Sequence, residues 1–164
     1  MTELWIRKEN AGALLTAGAF TVILIFTAVS DSRTKRIPDL YSAGILLLSL
    51  LSAAISDEAS VSSRLIGLFC VSVPMLLLTT ARPGAFGGGD IKLMAACGAF
   101  LGWESAVAAM GIAIFAGGAA GAVMLLTRQK SRKERFAFGP FLCIGAEAAF
   151  LWGQEIWEWL VSIK

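Results

Sequence analysis

Histidine is absent from the 164 residues of this chain, and its absence removes several kinds of catalytic site. A zinc site of the HExxH type needs two histidines on one face of a helix. A serine or cysteine nucleophile that is activated by histidine is excluded for the same reason. If the protein hydrolyses a bond, the sequence leaves carboxylates, lysines and the single tyrosine to do it.

Cysteine and charge are also scarce. Cys70, Cys97 and Cys143 each lie within an apolar run and form no CxxC pair, which argues against disulfides and a metal cluster. We therefore expect no metal site and interpret the cysteines as small buried apolar residues. Charged residues make up 16% of the chain, below the roughly 25% of a typical soluble domain, and hydrophobic residues reach 57%. This composition indicates a membrane protein.

Six apolar runs predict an all-α, polytopic membrane protein with about six transmembrane helices in a single domain over residues 1–164. A span needs about 20 residues, or about 17 at the short end, and the first and fifth runs meet this length. The fourth run is too short, so we expect part of the glycine-rich segment before it to lie at membrane depth. The runs are Ala11–Val29, Leu40–Ile55, Leu65–Thr80, Ile91–Trp103, Ala106–Thr127 and Phe136–Trp152, the last extending as far as Ile163 in the longest interpretation.

Basic residues cluster in two polar segments, Ser32–Ile37 and Arg128–Arg135, and the positive-inside rule predicts that both face the cytoplasm. With six spans, the two segments fall on one side of the membrane and both termini fall on the other. Asp57, Glu58 and Glu104 are expected on the side opposite the cytoplasm. We expect a multi-pass protein of the inner (cytoplasmic) membrane, in contact with the lipid bilayer and not with nucleic acid.

Asp90 follows three consecutive glycines in the segment GAFGGGDIK, which runs from Gly84 to Lys92. One interpretation is a helix N-cap, because aspartate at a helix start accepts backbone N–H bonds and suits the positive end of the helix dipole. A cap does not require the glycines. Gly87 to Gly89 permit positive φ angles and the close approach of a substrate backbone. We therefore favour a site at which a peptide reaches Asp90.

Asp31 ends the first run on the same predicted side as Asp90. By itself it is also explained as an ordinary charge at the membrane boundary. Two neighbouring carboxylates, however, can share one proton, so that one acts as a base and the other as an acid. Such a pair activates water against a peptide carbonyl without histidine or a metal. Asp39 lies on the same side and remains a rival for either role.

Paired carboxylates at a membrane boundary also serve ion or proton movement. Against this alternative, both aspartates are expected at one face, and we identify no further acidic residue that marks a path through the bilayer. A purely structural subunit is the third alternative, and it leaves the glycine run unexplained.

Four other residues stand out near these aspartates, and each has more than one interpretation. Lys92 has three interpretations: a stabilising cation beside Asp90, a contact to the substrate, or a positive charge that sets the orientation of the chain in the membrane. Pro38 starts the second helix, where its missing N–H costs nothing. Gly139 and Pro140 form a kinked or frayed start of the last helix, or lie beside the site on the cytoplasmic side.

Three segments in this order resemble the type IV prepilin peptidases, a family of GxGD intramembrane aspartyl proteases distantly similar to presenilin and signal peptide peptidase. The segments are DSRTKRIPD, GGGDIKLMAACGAFLGW and FAFGPFLCIGA, and they extend from Asp31 to about Ala146. The first matches the family's D-x-R-x-x-x-I-P element with its aspartate at Asp31. The G-x-G-D element falls on Gly87 to Asp90.

The resemblance implies an aspartic endopeptidase without a cofactor, in which Asp31 and Asp90 are catalytic. Its implied substrates are pilin, pseudopilin or archaellin-type precursors, whose short basic leader is removed at the cytoplasmic face of the membrane. Residues that match the family's elements, or lie beside them, are expected to bind substrate or shape the site: Gly87, Gly89, Lys92, Arg33, Pro38, Gly139 and Pro140.

Larger members of this family carry an N-terminal cytoplasmic region with paired cysteines, which is associated with N-methylation of the cleaved pilin. Here ten residues precede the first apolar run and no CxxC pair is present, so we expect the short, peptidase-only form. The alternatives are a bifunctional leader peptidase and N-methyltransferase, or a non-enzymatic subunit that conducts ions or protons. The sequence leaves the oligomeric state open.

Overall fold

The computed structural model describes residues 11–55, 60–127 and 137–162, and all regular structure within these ranges is α-helical. Two of the helices, α3 and α4, are consecutive halves of one apolar segment, so the described helices form six segments. The prediction of an all-α membrane protein with about six spans is confirmed. The helices are α1 (Ala11–Thr34), α2 (Asp39–Ile55), α3 (Val61–Cys70), α4 (Ser72–Ala81), α5 (Gly88–Leu101), α6 (Trp103–Leu126) and α7 (Gly139–Ser162).

Three helical segments are long and apolar enough to cross a membrane, namely Leu14–Thr34, Val61–Ala81 and Trp103–Met124. A fourth, Asp39–Ala54, is apolar but shorter. The first and fifth runs of the sequence therefore meet the length criterion as predicted, and the third joins them.

The third apolar run differs from the prediction because it is interrupted at Val71, between α3 and α4. Pro74 lies one turn further on and has no N–H to donate to the carbonyl of Cys70, while its ring crowds that carbonyl. Regular hydrogen bonding resumes when the amide of Met75 donates to the carbonyl of Val71 at 3.1 Å.

Helix bounds near the predicted site also differ from the apolar runs. Helix α1 continues past Val29 to Thr34, so it carries Asp31 in its last turns. Helix α5 begins at Gly88 rather than Ile91, so part of the glycine segment is helical. The basic segment Arg128–Arg135 lies outside the described residues, as do residues 56–59 and 136.

The interior is built from aromatic rings and from glycines where helices cross. Phe20 of α1 stacks on Phe100 of α5 with ring centroids 4.4 Å apart, and Phe150 of α7 lies 5.6 Å and 6.0 Å from these rings. At the crossing of α3 and α5, Gly67 and Gly98 bring the two backbones into contact, and a side chain on either would collide with the other helix.

One end of the bundle is tied together by a buried arginine. Arg64 of α3 is 6% exposed and donates to the carbonyl of Ser49 at 3.3 Å, the carbonyl of Phe100 at 3.3 Å and the hydroxyl of Ser52 at 3.1 Å. These bonds join α2, α3 and α5 where α2 and α5 end. The opposite end, where α1 ends and α2, α5 and α7 begin, carries Asp31 and Asp90, and we call it the aspartate end.

Candidate active site

Asp31 lies in the last turns of α1 and is 5% exposed. Its Oδ2 accepts a hydrogen bond from the backbone N–H of Gly139 at 3.0 Å, and Gly139 is the first residue of α7. A Cβ on Gly139 would lie 2.6 Å from this oxygen, so only glycine allows the backbone this close. The free N–H groups and the positive dipole end of α7 both favour a carboxylate at this position.

Asp90 is held in a similar way by the start of its own helix. Its Oδ2 accepts a hydrogen bond from the backbone N–H of Gly87 at 3.0 Å. Gly87 is the N-cap of α5 and Asp90 is the third residue of that helix, so Asp90 satisfies a helix-start donor without being the N-cap. The capping contact and a catalytic role do not exclude each other, because Gly87 engages Oδ2 alone.

The two carboxylates belong to neighbouring parts of one site. Phe138 precedes the Gly139 donor and Phe86 precedes the Gly87 donor, and these two rings lie 5.8 Å apart between centroids. The ring contact links the segment that holds one carboxylate to the segment that holds the other.

The three glycines before Asp90 have distinct surroundings. A Cβ on Gly89 would lie 2.9 Å from Cβ and 3.3 Å from the carbonyl oxygen of Ile37, and a Cβ on Gly87 would lie 3.0 Å from Oδ2 of Asp90. A Cβ on Gly88 would meet no heavy atom within 4 Å.

The backbone of this glycine run is less unusual than the sequence suggests. The glycines of the run permit positive φ angles, but the structure does not use them. Gly87 has a φ of −75°, and the positive values among glycines in the described ranges are at Gly84 and Gly102. The close approach occurs instead, between Gly89 and the α1–α2 connection.

Lys92 pairs with Asp39, not with Asp90. Its ammonium group lies 2.8 Å and 2.7 Å from the two carboxylate oxygens of Asp39, and both side chains are largely exposed. Asp39, the rival for a catalytic role, is thereby engaged by a cation at the first residue of α2. The pair connects α2 with α5 at the aspartate end.

The remaining predicted site residues lie around this pair and the two aspartates. Arg33 is exposed in the last turn of α1, and Pro38 is exposed immediately before α2, where its carbonyl accepts from the amide of Tyr41 at 3.1 Å. Pro140 is half-buried at the second position of α7. All of them lie at the aspartate end.

The turn that follows Asp31 is closed by hydrogen bonds. The amide of Lys35 donates to the carbonyl of Asp31 at 2.8 Å, and the hydroxyl of Thr34 donates to the carbonyl of Arg36 at 3.1 Å. Lys35 has a φ of 53°, the left-handed conformation that ends many helices and that glycine adopts most readily. A non-glycine residue here stores backbone strain beside Asp31.

Glu147 is an acidic residue that the sequence analysis missed. It lies on α7 two turns beyond Gly139, and its Oε1 accepts a hydrogen bond from the hydroxyl of Thr21 on α1 at 2.9 Å. Glu147 counts against the argument that no further acidic residue marks a path through the bilayer. A glutamate inside the apolar run Phe136–Trp152 was the available signal.

The cysteines match their interpretation as apolar residues. Cys97 and Cys143 are buried, Cys70 is half-buried, and all three are free thiols. Within the described ranges, no group of three or more potential ligand residues comes together in a way that could hold a metal ion.

The type IV leader peptidase family matches residues 18–122 of this chain. Similar proteins include a prepilin leader peptidase/N-methyltransferase of Legionella pneumophila, 33% identical over 148 residues that cover 85% of this chain and 50% of the relative. A protein of the same name from Pseudomonas aeruginosa is 33% identical, with coverages of 91% and 51%. One from Bacillus subtilis is 30% identical, with coverages of 92% and 60%. No solved structure matches the chain.

The chain thus spans about half the length of the curated relatives that it matches. The family match begins within α1 and ends within α6, covers more than half of the chain and includes both Asp31 and Asp90. On this ground the chain belongs to the type IV leader peptidase family.

Proposed function

We propose that this protein is an aspartic endopeptidase that removes the short basic leader from prepilin-like precursors at the cytoplasmic face of the membrane. The single observation that carries the proposal is the arrangement of Asp31 and Asp90. They come from helices far apart in the sequence, lie at one end of the bundle, and each accepts one backbone N–H at Oδ2.

The hydrogen-bond pattern suits water activation. Among the described residues, Oδ1 of Asp31 and Oδ1 of Asp90 take no hydrogen bond, so each carboxylate keeps one oxygen for water or substrate. The ionised carboxylate takes a proton from water, and the water oxygen bonds to the scissile carbonyl carbon. The protonated carboxyl donates a hydrogen bond to the carbonyl oxygen. As the C–N bond breaks and the carbonyl re-forms, the leaving amine takes up the proton that the first carboxylate removed from water.

A membrane-embedded bundle suits a substrate that is itself partly a membrane helix. Asp90 is half-buried and the glycine segment before it is partly exposed, so a peptide can reach its carboxylate. The acidic pair favours a substrate whose leader is basic. The cytoplasmic location of this end is part of the proposal, and it follows from the basic segments Ser32–Ile37 and Arg128–Arg135.

Methylation of the product is a separate matter. The names of the relatives include N-methyltransferase activity, and this chain spans about half of their length. The proposal for this chain is therefore limited to peptide cleavage, and mass spectrometry of the new N-terminus of a cleaved precursor would detect a methyl group.

The test is co-expression with candidate prepilins from the same genome, followed by detection of the smaller, leader-free product. Asp31→Asn and Asp90→Asn should each abolish cleavage while protein level and membrane insertion stay unchanged, because one remaining carboxylate cannot serve as both acid and base. Asp57→Asn and Glu58→Gln are the matched acidic controls and should retain substantial activity. Cleavage by the Asp90→Asn enzyme would refute the proposed mechanism.

Glu147 gives a specific reason to keep the ion-conducting alternative. It adds a carboxyl group within the apolar segment of α7 to those of Asp31 and Asp90. Intramembrane carboxyl groups of this kind commonly mark proton or ion paths. Proton flux into liposomes that contain the purified protein distinguishes the two functions: an ion path predicts flux that Glu147→Gln abolishes, and the peptidase predicts none.

A further inference from the structure

Two contacts join the segment that follows Asp31 to the segment that contains Asp90. Gly89, immediately before Asp90, packs against the backbone and Cβ of Ile37. Lys92, two residues after Asp90, holds both carboxylate oxygens of Asp39. Both contacts therefore connect the same pair of segments, Ile37–Asp39 and Gly89–Lys92.

The first of these segments is tied to Asp31. The Lys35 amide bonds the Asp31 carbonyl at 2.8 Å, and the Thr34 hydroxyl bonds the Arg36 carbonyl at 3.1 Å, so the turn between Asp31 and Ile37 is closed by hydrogen bonds. Ile37 is half-buried and packs against the hydrophobic core. The position of Ile37 is thus related to that of Asp31 through a short, bonded turn.

We propose that Asp39 and Lys92 are positioning residues that, with the Ile37–Gly89 contact, form a joint setting the separation of the Asp31 and Asp90 carboxylates. The joint is independent of α7, which holds Asp31 by a different bond. Its apolar half is rigid because two backbones meet at Gly89. Its ionic half is exposed to water, with side chains 58% and 71% accessible, so it can open without burying a charge.

This placement explains why a lysine follows the reactive aspartate without touching it. The ammonium of Lys92 is directed to the start of α2, where Asp39 also suits the positive end of that helix dipole. If the pair is broken, the segment that carries Asp90 loses its ionic contact with the start of α2 and keeps the Ile37–Gly89 contact. The Asp31 and Asp90 carboxylates then sample wider separations. In a smaller fraction of molecules they are close enough to share a water molecule.

A charge swap tests the joint. Asp39→Lys and Lys92→Asp each place like charges together, and the double variant restores an opposite pair with the original net charge. Arg82→Asp is the matched control, since it reverses an exposed charge at the same end of the bundle without touching the pair. An exposed ion pair accounts for up to about a fivefold effect, so each single reversal should lower prepilin cleavage about fivefold. The double variant should return to within about twofold of the wild type.

The cleavage assay tests the joint only if the proposed peptidase function is correct. A second readout measures the joint without any peptidase activity. Cleavage after Arg36 by an arginine-specific protease, which does not cut at the lysine introduced by Asp39→Lys, reports how often the exposed α1–α2 connection separates from α5. In the detergent-solubilised chain, both single reversals should speed this cleavage about fivefold, while the double variant and Arg82→Asp should match the wild type.

The two readouts separate the possible failures. If the rates of cleavage after Arg36 follow the charge pairing while no variant cleaves any prepilin, the joint is supported and the peptidase function fails. If the double variant is as impaired as the single reversals in both assays, or if all rates of cleavage after Arg36 are equal, the joint is overturned.

Discussion

Replacing Gly139 with alanine tests whether the backbone at the start of α7 holds Asp31 in its working position. The added Cβ would lie 2.6 Å from Oδ2 and 2.8 Å from Cγ of Asp31. Ordinary van der Waals contact begins at 3.4 Å, so the carboxylate or the start of α7 must move by the difference of about 0.8 Å.

A movement of this size breaks the contact between α7 and the carboxylate. The present N–H···O distance of 3.0 Å would lengthen to about 3.8 Å, which is too long for a hydrogen bond. A hydrogen bond to a charged group contributes about 1.5–3 kcal/mol, and about 1.4 kcal/mol is a tenfold change. We therefore expect the Gly139→Ala enzyme to lose about 10- to 100-fold in cleavage rate. The amount of folded protein should change little, because alanine is favoured over glycine in helices by roughly 1 kcal/mol.

The assay is prepilin cleavage in isolated membranes, normalised to the amount of enzyme. Gly88→Ala is the matched control, because a Cβ there meets no heavy atom within 4 Å and activity should stay close to that of the wild type. Gly145→Ala is a structural control in the same helix as Gly139. Its Cβ would collide with the carbonyl of Ala109 on α6, so it should lower the amount of protein rather than the activity per molecule. Equal specific activities of Gly139→Ala and Gly88→Ala would refute the reasoning.

Three further changes have expected outcomes. Gly89→Ala should lose most cleavage activity without loss of folded protein, because its Cβ would press on Ile37, and activity equal to that of Gly88→Ala would contradict this. Lys35→Gly should stabilise the protein by about 0.5–1 kcal/mol in thermal unfolding in detergent, because glycine relieves the left-handed strain, whereas Lys35→Ala should give no gain. Glu147→Gln should keep cleavage within about threefold, because its amide oxygen still accepts the neighbouring hydroxyl, and Glu147→Leu should lower the protein level by leaving that hydroxyl unpaired. A Glu147→Gln enzyme without activity would show that this carboxyl group takes part in the reaction.

The sequence by itself determined the class of structure and indicated the candidate catalytic groups. Long apolar runs can bury their backbone polar groups in a bilayer only as helices, so the all-α membrane fold followed from composition and spacing. The absence of histidine left carboxylates as the available acid and base, and the G-x-G-D and D-x-R-x-x-x-I-P elements indicated Asp31 and Asp90. The order of the helices then placed both aspartates at one end of the bundle.

The sequence predicted the presence of each helix better than the residues at which it begins and ends. Apolar runs measure hydrophobicity, whereas a helix continues into polar residues wherever its hydrogen bonds are satisfied, as α1 does through Asp31 to Thr34. The break at Val71 was missed for a related reason. Val61–Ala81 is apolar enough to count as one span, and the missing amide of Pro74 interrupts hydrogen bonding without making the segment less apolar.

Only the tertiary structure decided what holds each of the carboxylates. The bond from Gly139 to Asp31, the pairing of Lys92 with Asp39, and the bond from Thr21 to Glu147 all join residues separated by at least 53 positions in the chain. Their existence depends on how close two helices approach, and that distance is set by side-chain volume at the crossings. The sequence does not distinguish Gly88, where an added Cβ would meet open space, from Gly139, where it would meet the oxygen of a carboxylate. The difference between the two positions is a property of the packed bundle, because the atoms that forbid a side chain belong to another helix.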